Sequence, residues 1–314
     1  MNKPIKPFLT YEQQLYNLQN EKLLIINNPS YALSVLQNIR YYALIDGYKY
    51  LFYNPMTRKY LPGTTFEDIV ALYYFDESLR ELVFKYICRI EQKLRTEISY
   101  YFCDKYSSNQ MDYLNPDNYN NRRKNVDGIN HLIKILDYEA NKNKNHDYIV
   151  YQRKTYGNVP LWVTVNALTL GQISKMYSFL QSDIQAKISH CYKYVNEKEL
   201  SQYLKVLTDY RNVCAHNERL FSFRSHTDIP DTGLHQKLRI PLNGSHYIMG
   251  KNDMYAVVLS FRYLLSGEDF SCFKRTLNKL LALYRKQSEN ASMKKLYYAM
   301  GFPANWNDVL RYKI

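Results

Sequence analysis

One short stretch concentrates side chains that could do chemistry: Asp209-Tyr210-Arg211-Asn212-Val213-Cys214-Ala215-His216-Asn217-Glu218-Arg219. Four residues separate Arg211 from His216. A bare R-x4-H is common by chance and reads first as two surface residues, or as a buried pair with local partners. The fuller RNxxAH, with Asn after the Arg and a small Ala before the His, is much more specific. The pair suits RNA, which carries its own nucleophile in the 2′-OH. An imidazole with an ordinary pKa of about 6.5 can move protons near neutrality. A guanidinium presents a planar fork that matches phosphate oxygens and can hold charge developing on phosphorus. That chemistry needs neither a metal nor a cofactor, and none is expected.

Spacing adds a constraint. Five residues along a helix are roughly 140° of rotation and about 7.5 Å of rise, so Arg211 and His216 leave different faces. Asn212 and His216, four apart, share one, so Asn212 can help fix the imidazole while Arg211 reaches round. A single imidazole is also thin equipment for both deprotonating a nucleophile and protonating a leaving oxygen. Two copies of the helix packed across a subunit interface would supply two of each group, which is a physical motive for a homodimer.

The elements that must position these groups are mostly helical. Thr10 and Gln13 have capping-box spacing ahead of Leu15 and Leu18. Asn28-Pro29 opens a second helix ending near Asn38. The segment YNPMTRKYLPGTT reads as a loop or short hairpin. Thr65 and Asp68 then begin the clearest helix, whose stripe from Leu79 through Val83, Ile87, Ile90, Leu94 and Ile98 keeps a period near 3.6. Arg80, Lys85, Arg89 and Lys93 are expected on its opposite, polar face, and Glu91 and Arg95, four apart, can pair. The pair is as readily structural as supportive of an active site. Ser107 to Lys124 reads as a polar surface loop, Asp127 to Asn141 as a helix, and NKNKNHD as a solvated turn. Pro160 opens another helix that Gly171 interrupts, two shorter helices fill Ile173 to Tyr192, and a strong helix is expected from about Glu197 to Phe221. Asn243-Gly244 is a hairpin signal, with helices resuming at Asp253 to Leu265 and Phe270 to Lys286.

Composition narrows the class. The 314 residues carry 46% hydrophobic and 23% charged side chains, enough apolar material for a packed core. The net charge is +13, which favours a polyanionic partner. Ser271 to Ile314 holds nine Lys or Arg against two acidic residues, so more than half of the excess lies there. Lys294 and Lys295 in that segment, and Arg219 beside the motif, are the candidate RNA-contacting cations, against the alternative of an ordinary solvated surface. The 33 tyrosines accompany abundant Asn, Lys and Ile, as an AT-rich genome would produce, although some could stack on bases. Five scattered cysteines without a CxxC argue against a disulfide framework or structural zinc, and a reducing cytoplasm fits. No signal peptide or membrane span is visible, so no membrane partner is expected. P-loop, GxSxG, HExxH and Rossmann patterns are absent.

Several blocks, in order, resemble the Abi-like proteins of bacterial abortive infection, typified by AbiD and AbiF. They are KPFLTYEQQLYNLQ, RYYALIDGYKYLF, GTTFEDIVALYYFDESLRELVFKYICRIEQKLRT, PLWVTVNALTLGQISKMY, RNVCAHNERLF and MGFPANW. The resemblance implies an all-α, HEPN-type helical bundle with extra N- and C-terminal helical segments, alongside the short β-hairpin suggested above. With no internal repeat or long linker, a single domain of 1–314 is expected, comprising an N-terminal helical segment (1–62), a HEPN helical core (63–225) and a hairpin with basic C-terminal helices (226–314). The resemblance also implies antiphage defence through RNA cleavage, with a likeness to the nuclease domains of RNA-guided type VI CRISPR effectors. Arg211 and His216 match the motif's catalytic pair and Asn212 its polar second position. A toxic nuclease needs restraint, so a regulatory RNA or protein inhibitor encoded nearby is an expected partner beside the RNA substrate. The competing readings are an RNA-binding module that does not cut and a protein-interaction scaffold. Intact Arg and His favour the nuclease over the first, and the charge disfavours the second.

Overall fold

The computed structural model describes residues 7–288 and 290–314. It is 66% helical with two tiny sheets, which makes the fold all-α. In chain order the helices are α1 (Tyr11–Tyr16), α2 (Pro29–Asn38), α3 (Phe66–Lys105), α4 (Gln110–Leu114), α5 (Val126–Asp137), α6 (Asp147–Tyr156) and α7 (Leu161–Thr164). There follow α8 (Leu170–Phe179), α9 (Ser182–Ser189), α10 (Glu197–Ala215), α11 (Gly233–Lys237), α12 (Met254–Leu264), α13 (Gly267–Gln287) and α14 (Met293–Ala299). Among the described residues there are also short 3-10 and π turns and two antiparallel hairpins, β1–β2 (Tyr53–Asn54 with Lys59–Tyr60) and β3–β4 (Leu242–Asn243 with His246–Tyr247). The second turns at Asn243-Gly244, where Gly244 has φ +61°.

Local signals explain most helix starts. Thr10 and Gln13 form a reciprocal capping box at α1. The Asn28 carboxamide accepts from the Tyr31 amide, with Pro29 at the first helical position of α2. At α3, Thr65 Oγ1 accepts from the Asp68 amide and Asp68 Oδ2 accepts from the Thr65 amide.

The described residues form two compact units, each drawn from separated stretches. One holds those of Met1–Leu82, Asn217–Phe223 and Phe273–Met300. Its core includes Leu18, Leu36, Phe66, Leu72, Phe221 and Phe273. The other holds Val83–His216, Arg224–Cys272 and Gly301–Ile314. There α10 packs against α8, α9 and α12. Its buried face is Leu200, Tyr203, Leu204, Leu207 and Tyr210. Residues Met254 to Phe261 of α12 are all buried, as befits a central helix with no solvent face.

Several local expectations are corrected. Arg80 is not on the polar face of α3 but buried at 4% exposure, while Lys85, Arg89 and Lys93 are exposed. Its guanidinium found a carboxylate one turn earlier, in Asp76. Ser107–Lys124 is not a plain loop, because the Asn109 side chain caps α4 and Tyr113 and Tyr119 are buried beneath it. The NKNKNHD turn is only partly solvated: Asn143 is buried and Arg153 donates to the carbonyls of Ala140 and Asn143. The break before α8 falls at Leu168–Thr169, where Thr169 and Gln172 make a capping box, and Gly171 lies inside the helix. Lastly, α10 stops at Ala215 and does not reach Phe221.

Candidate active site

The last turn of α10 presents the RNxxAH residues. Tyr210, Val213 and Cys214 face inward, whereas Asn212, Ala215 and His216 are exposed and Arg211 is half-buried. The motif helix is held from its inner side. Tyr210 Oη donates to the Asn252 carbonyl at 3.2 Å, and Ser225 Oγ donates to Asp209 Oδ2 at 2.6 Å. The Ser225 amide in turn donates to the Asn252 carbonyl at 2.8 Å. These bonds fix the backbone beneath Arg211 and leave the chemically active side chains outside the core.

His216 is the residue at which the helix ends. Its φ of −95° and ψ of 7° leave the helical region, yet its amide still donates to the Asn212 carbonyl at 3.0 Å. Asn217 follows at φ +54°, a left-handed conformation that Asn tolerates better than most residues and that closes helix C-termini. Asn212 and His216 are thus linked through the backbone, and no hydrogen bond joins their side chains. Because that amide hydrogen bond is kept, the imidazole leaves the chain close to its helical direction, and the change in ψ redirects the backbone that follows.

Arg211 leans on α3. Its guanidinium carbon lies 5.8 Å from the centre of the Phe84 ring. Among the described residues it makes no ion pair, and its buried Nε has no hydrogen-bond partner. A half-buried guanidinium left without a carboxylate retains its capacity for an anion. One helical turn beyond Phe84 stands Cys88, whose thiol is pushed up by burial and by Glu91, against the opposing fields of Arg211 and Arg95. Phe84, Cys88, Glu91 and Arg95 recur at intervals of three and four, and so form one stripe along α3. Arg95 pairs with Glu91 and also donates to the Leu168 carbonyl at 2.5 Å, just before the cap of α8. The Glu91–Arg95 pair therefore ties α3 to the start of α8.

The sequence-derived candidates fall into two groups. Arg211, Asn212, His216, Glu91 and Arg95 belong to one compact unit. Arg219, Lys294 and Lys295 belong to the other. Arg219 donates to the Gly47 carbonyl at 2.6 Å and lies over the Phe221 ring, so its head group is already engaged. Lys294 and Lys295 are exposed on α14. Among the described residues, no group of three or more His, Cys, Asp or Glu side chains is arranged to hold a metal ion. None of their helices is long and apolar enough to cross a membrane.

Sequence reasoning missed the network just past the motif, all of it within the unit that holds residues 217–223. The Leu220 and Phe221 amides donate to Asp76 at 2.9 and 2.7 Å. Tyr48 Oη and Arg80 Nη1 donate to the same carboxylate at 2.7 and 2.8 Å. Arg80 Nη1 also reaches the Glu218 carbonyl at 3.3 Å. Complete burial pushes the Asp76 carboxyl upward, while these donors and the Arg80 charge pull the other way. The i,i+4 spacing of Asp76 and Arg80 was the available signal. It also missed Phe84 and Cys88, which the three-and-four stripe through Glu91 and Arg95 could have revealed.

A family model described as Abi-like protein matches residues 34–222, more than half of the chain. The match contains α3, α10 and the whole RNxxAH motif and stops short of Lys294 and Lys295. Neither a curated protein nor a solved structure matches the chain.

Proposed function

The chain belongs to the Abi-like protein family, and on that footing we propose that it is a metal-independent endoribonuclease of the HEPN type acting in abortive-infection defence. The observation that carries this reading is the state of Arg211. It is a half-buried guanidinium with no ion pair among the described residues, five residues from an exposed His216 at the end of a firmly anchored helix. Arg80 and Arg95 also leave their Nε without a partner, yet each holds a carboxylate one turn away, and it is the lack of such a pair that sets Arg211 apart.

The chemistry follows from these two groups. Arg211 binds the non-bridging oxygens of the scissile phosphate and offsets the charge that builds on them. The 2′-oxygen attacks phosphorus as its proton passes to a base. The bond to the 5′-oxygen breaks as that atom receives a proton from an acid. The products carry 2′,3′-cyclic phosphate and 5′-OH ends. His216 performs one of the two proton transfers. A second His216, from another copy of the chain, performs the other, which gives the homodimer its purpose. Asn212 lines the same exposed turn and orients substrate or imidazole.

The test is incubation of purified protein with total RNA in EDTA, alongside Arg211→Ala and His216→Ala. Wild type should cut and both variants should lose about 10²-fold or more. RNA binding without cutting by the wild type would leave the non-catalytic RNA-binding reading in its place. Arg211 is half-buried and His216 exposed, outside the buried face of α10, so the variants should keep wild-type circular dichroism.

A further inference from the structure

The surface formed by α6 and α7 is aromatic to a degree that burial does not explain. Tyr148 is 43% exposed, Tyr151 57%, Tyr156 63% and Trp162 49%. On the inner side of the same two helices Ile149 and Leu161 are fully buried, while Val163 contributes to the outer face. An open pocket of about 510 Å³ lies on this face, lined by Asp147, Tyr148, Tyr151, Gln152, Val163 and Asn166. Its rings also associate with one another: His146 lies 5.3 Å from Tyr148 at 30°, and Tyr151 lies 6.2 Å from Tyr156 at 81°. Lys144 and Lys154 stand exposed beside them. Lys142 pairs with Asp137 and Arg153 is bonded to backbone carbonyls, so Lys144 and Lys154 are the exposed cations this stretch offers a phosphate.

This face lies next to the α3 stripe that starts under Arg211. Arg95 ends that stripe, bonded to the Leu168 carbonyl at the end of the α7 segment. Its charge is felt at the Tyr148 phenol, where burial and Glu139 raise the pKa and Arg95 opposes them. From Phe84 under Arg211 to Arg95 is eleven residues, or about 16 Å along the helix. Phosphate-binding cation, Arg95 and aromatic face therefore follow one another within a single compact unit.

We propose that the α6–α7 face is a stacking platform for single-stranded RNA, with bases on Tyr148, Tyr151 and Trp162 and the backbone running along α3 to Arg211. Aromatic rings flanked by lysines suit a single strand, because every base offers a flat face and every linkage a negative charge. A paired A-form helix buries its bases against each other and offers no such faces. The substrate of the proposed nuclease is then unpaired RNA with little sequence preference on this side of the cut. The proposal rests on Arg211 as the phosphate-binding group.

The test uses full-length His216→Ala protein, which should bind without cutting, and a fluorescein-labelled oligouridine of about twelve nucleotides, within the span of a single-strand site. Tyr151→Ala and Trp162→Ala should each weaken binding about 5- to 150-fold, the fold-change of one stacked base lost. Tyr151→Phe, which keeps the ring, should bind as the parent does. Trp162 also reports directly: oligouridine should quench its emission, and Trp162→Phe should abolish the quench, since the other tryptophan, Trp306, is buried. Unchanged affinity in both alanine variants together with no quench would overturn the proposal. So would a change in sedimentation with unchanged affinity, which would assign the face to protein contact. Failure of the nuclease reading looks different: the quench and the ring-dependent affinity persist while wild type leaves RNA intact.

Discussion

Replacing Asp76 by Ala removes the acceptor on which four donors converge. The Leu220 and Phe221 amides, Tyr48 Oη and Arg80 Nη1 all lie 2.7 to 2.9 Å from that carboxylate. Asp76 is fully buried and Arg80 only 4% exposed, so water does not simply take over. Breaking one half of a buried ion pair costs about 3–5 kcal/mol, because the remaining charge keeps its desolvation and loses its partner. Each orphaned amide adds about 1–3 kcal/mol, though such losses within one network do not add. The ionised carboxylate itself bears a burial cost that its removal relieves, which places the expected loss near 3 kcal/mol by the same estimate. Urea unfolding followed by circular dichroism measures it, and amide exchange at Leu220 and Phe221 locates it. The double variant Asp76→Ala/Arg80→Met removes the stranded cation and should recover at least about 1 kcal/mol relative to Asp76→Ala. A loss below about 1 kcal/mol in the single variant, or no recovery in the double, would refute the clamp.

Three further outcomes follow from other parts of the molecule. Asp253, which caps α12 beneath Gly301, is pushed up by burial to about 6 from 3.8. Its folded form binds the proton more tightly than the unfolded chain, so stability should fall by about 3 kcal/mol as pH rises from 4 through 6, and Asp253→Asn should flatten that slope in thermal melts at pH 4.5 and 7. Lys294→Glu/Lys295→Glu should lower RNA affinity and make it less salt-dependent without moving the cut sites; an unchanged salt slope would place the RNA path elsewhere. Purified heterodimers of wild type with His216→Ala should be substantially impaired if two chains share one cleft, whereas half the wild-type rate, or an active monomer by light scattering, would leave each subunit with its own site.

How much of this was legible in advance varied with how local the cause was. Helix starts at Thr10, Asn28 and Thr65 were readable because a cap is a contact across three residues. The cap at Thr169 was equally local, but Gly171 two residues later drew attention as a breaker. The end of α10 was missed because Leu220 and Phe221 continue an apolar pattern. They are buried as a loop whose amides are satisfied by Asp76, far away in sequence. Arg80 was misplaced for the same reason, since its periodic position is polar and only its partners reveal that it lies inside. Within the site, the identities of Arg211 and His216 were plain from the motif. The unpaired state of the guanidinium and the placement of His216 on a turn depend on what the neighbouring helices leave open.

The central claim is that Arg211 and His216 cleave RNA by 2′-OH attack, and the chemistry of the new ends tests it most directly. A short 5′-labelled single-stranded RNA is incubated with the protein in EDTA, and the products are separated with and without acid treatment and phosphatase. The account predicts a 2′,3′-cyclic phosphate on the labelled fragment and a 5′-OH on the other, with no cleavage of a 2′-O-methyl analogue or of DNA. Fragments ending in 3′-OH with 5′-phosphate, or cleavage that appears only when magnesium is restored, would contradict it.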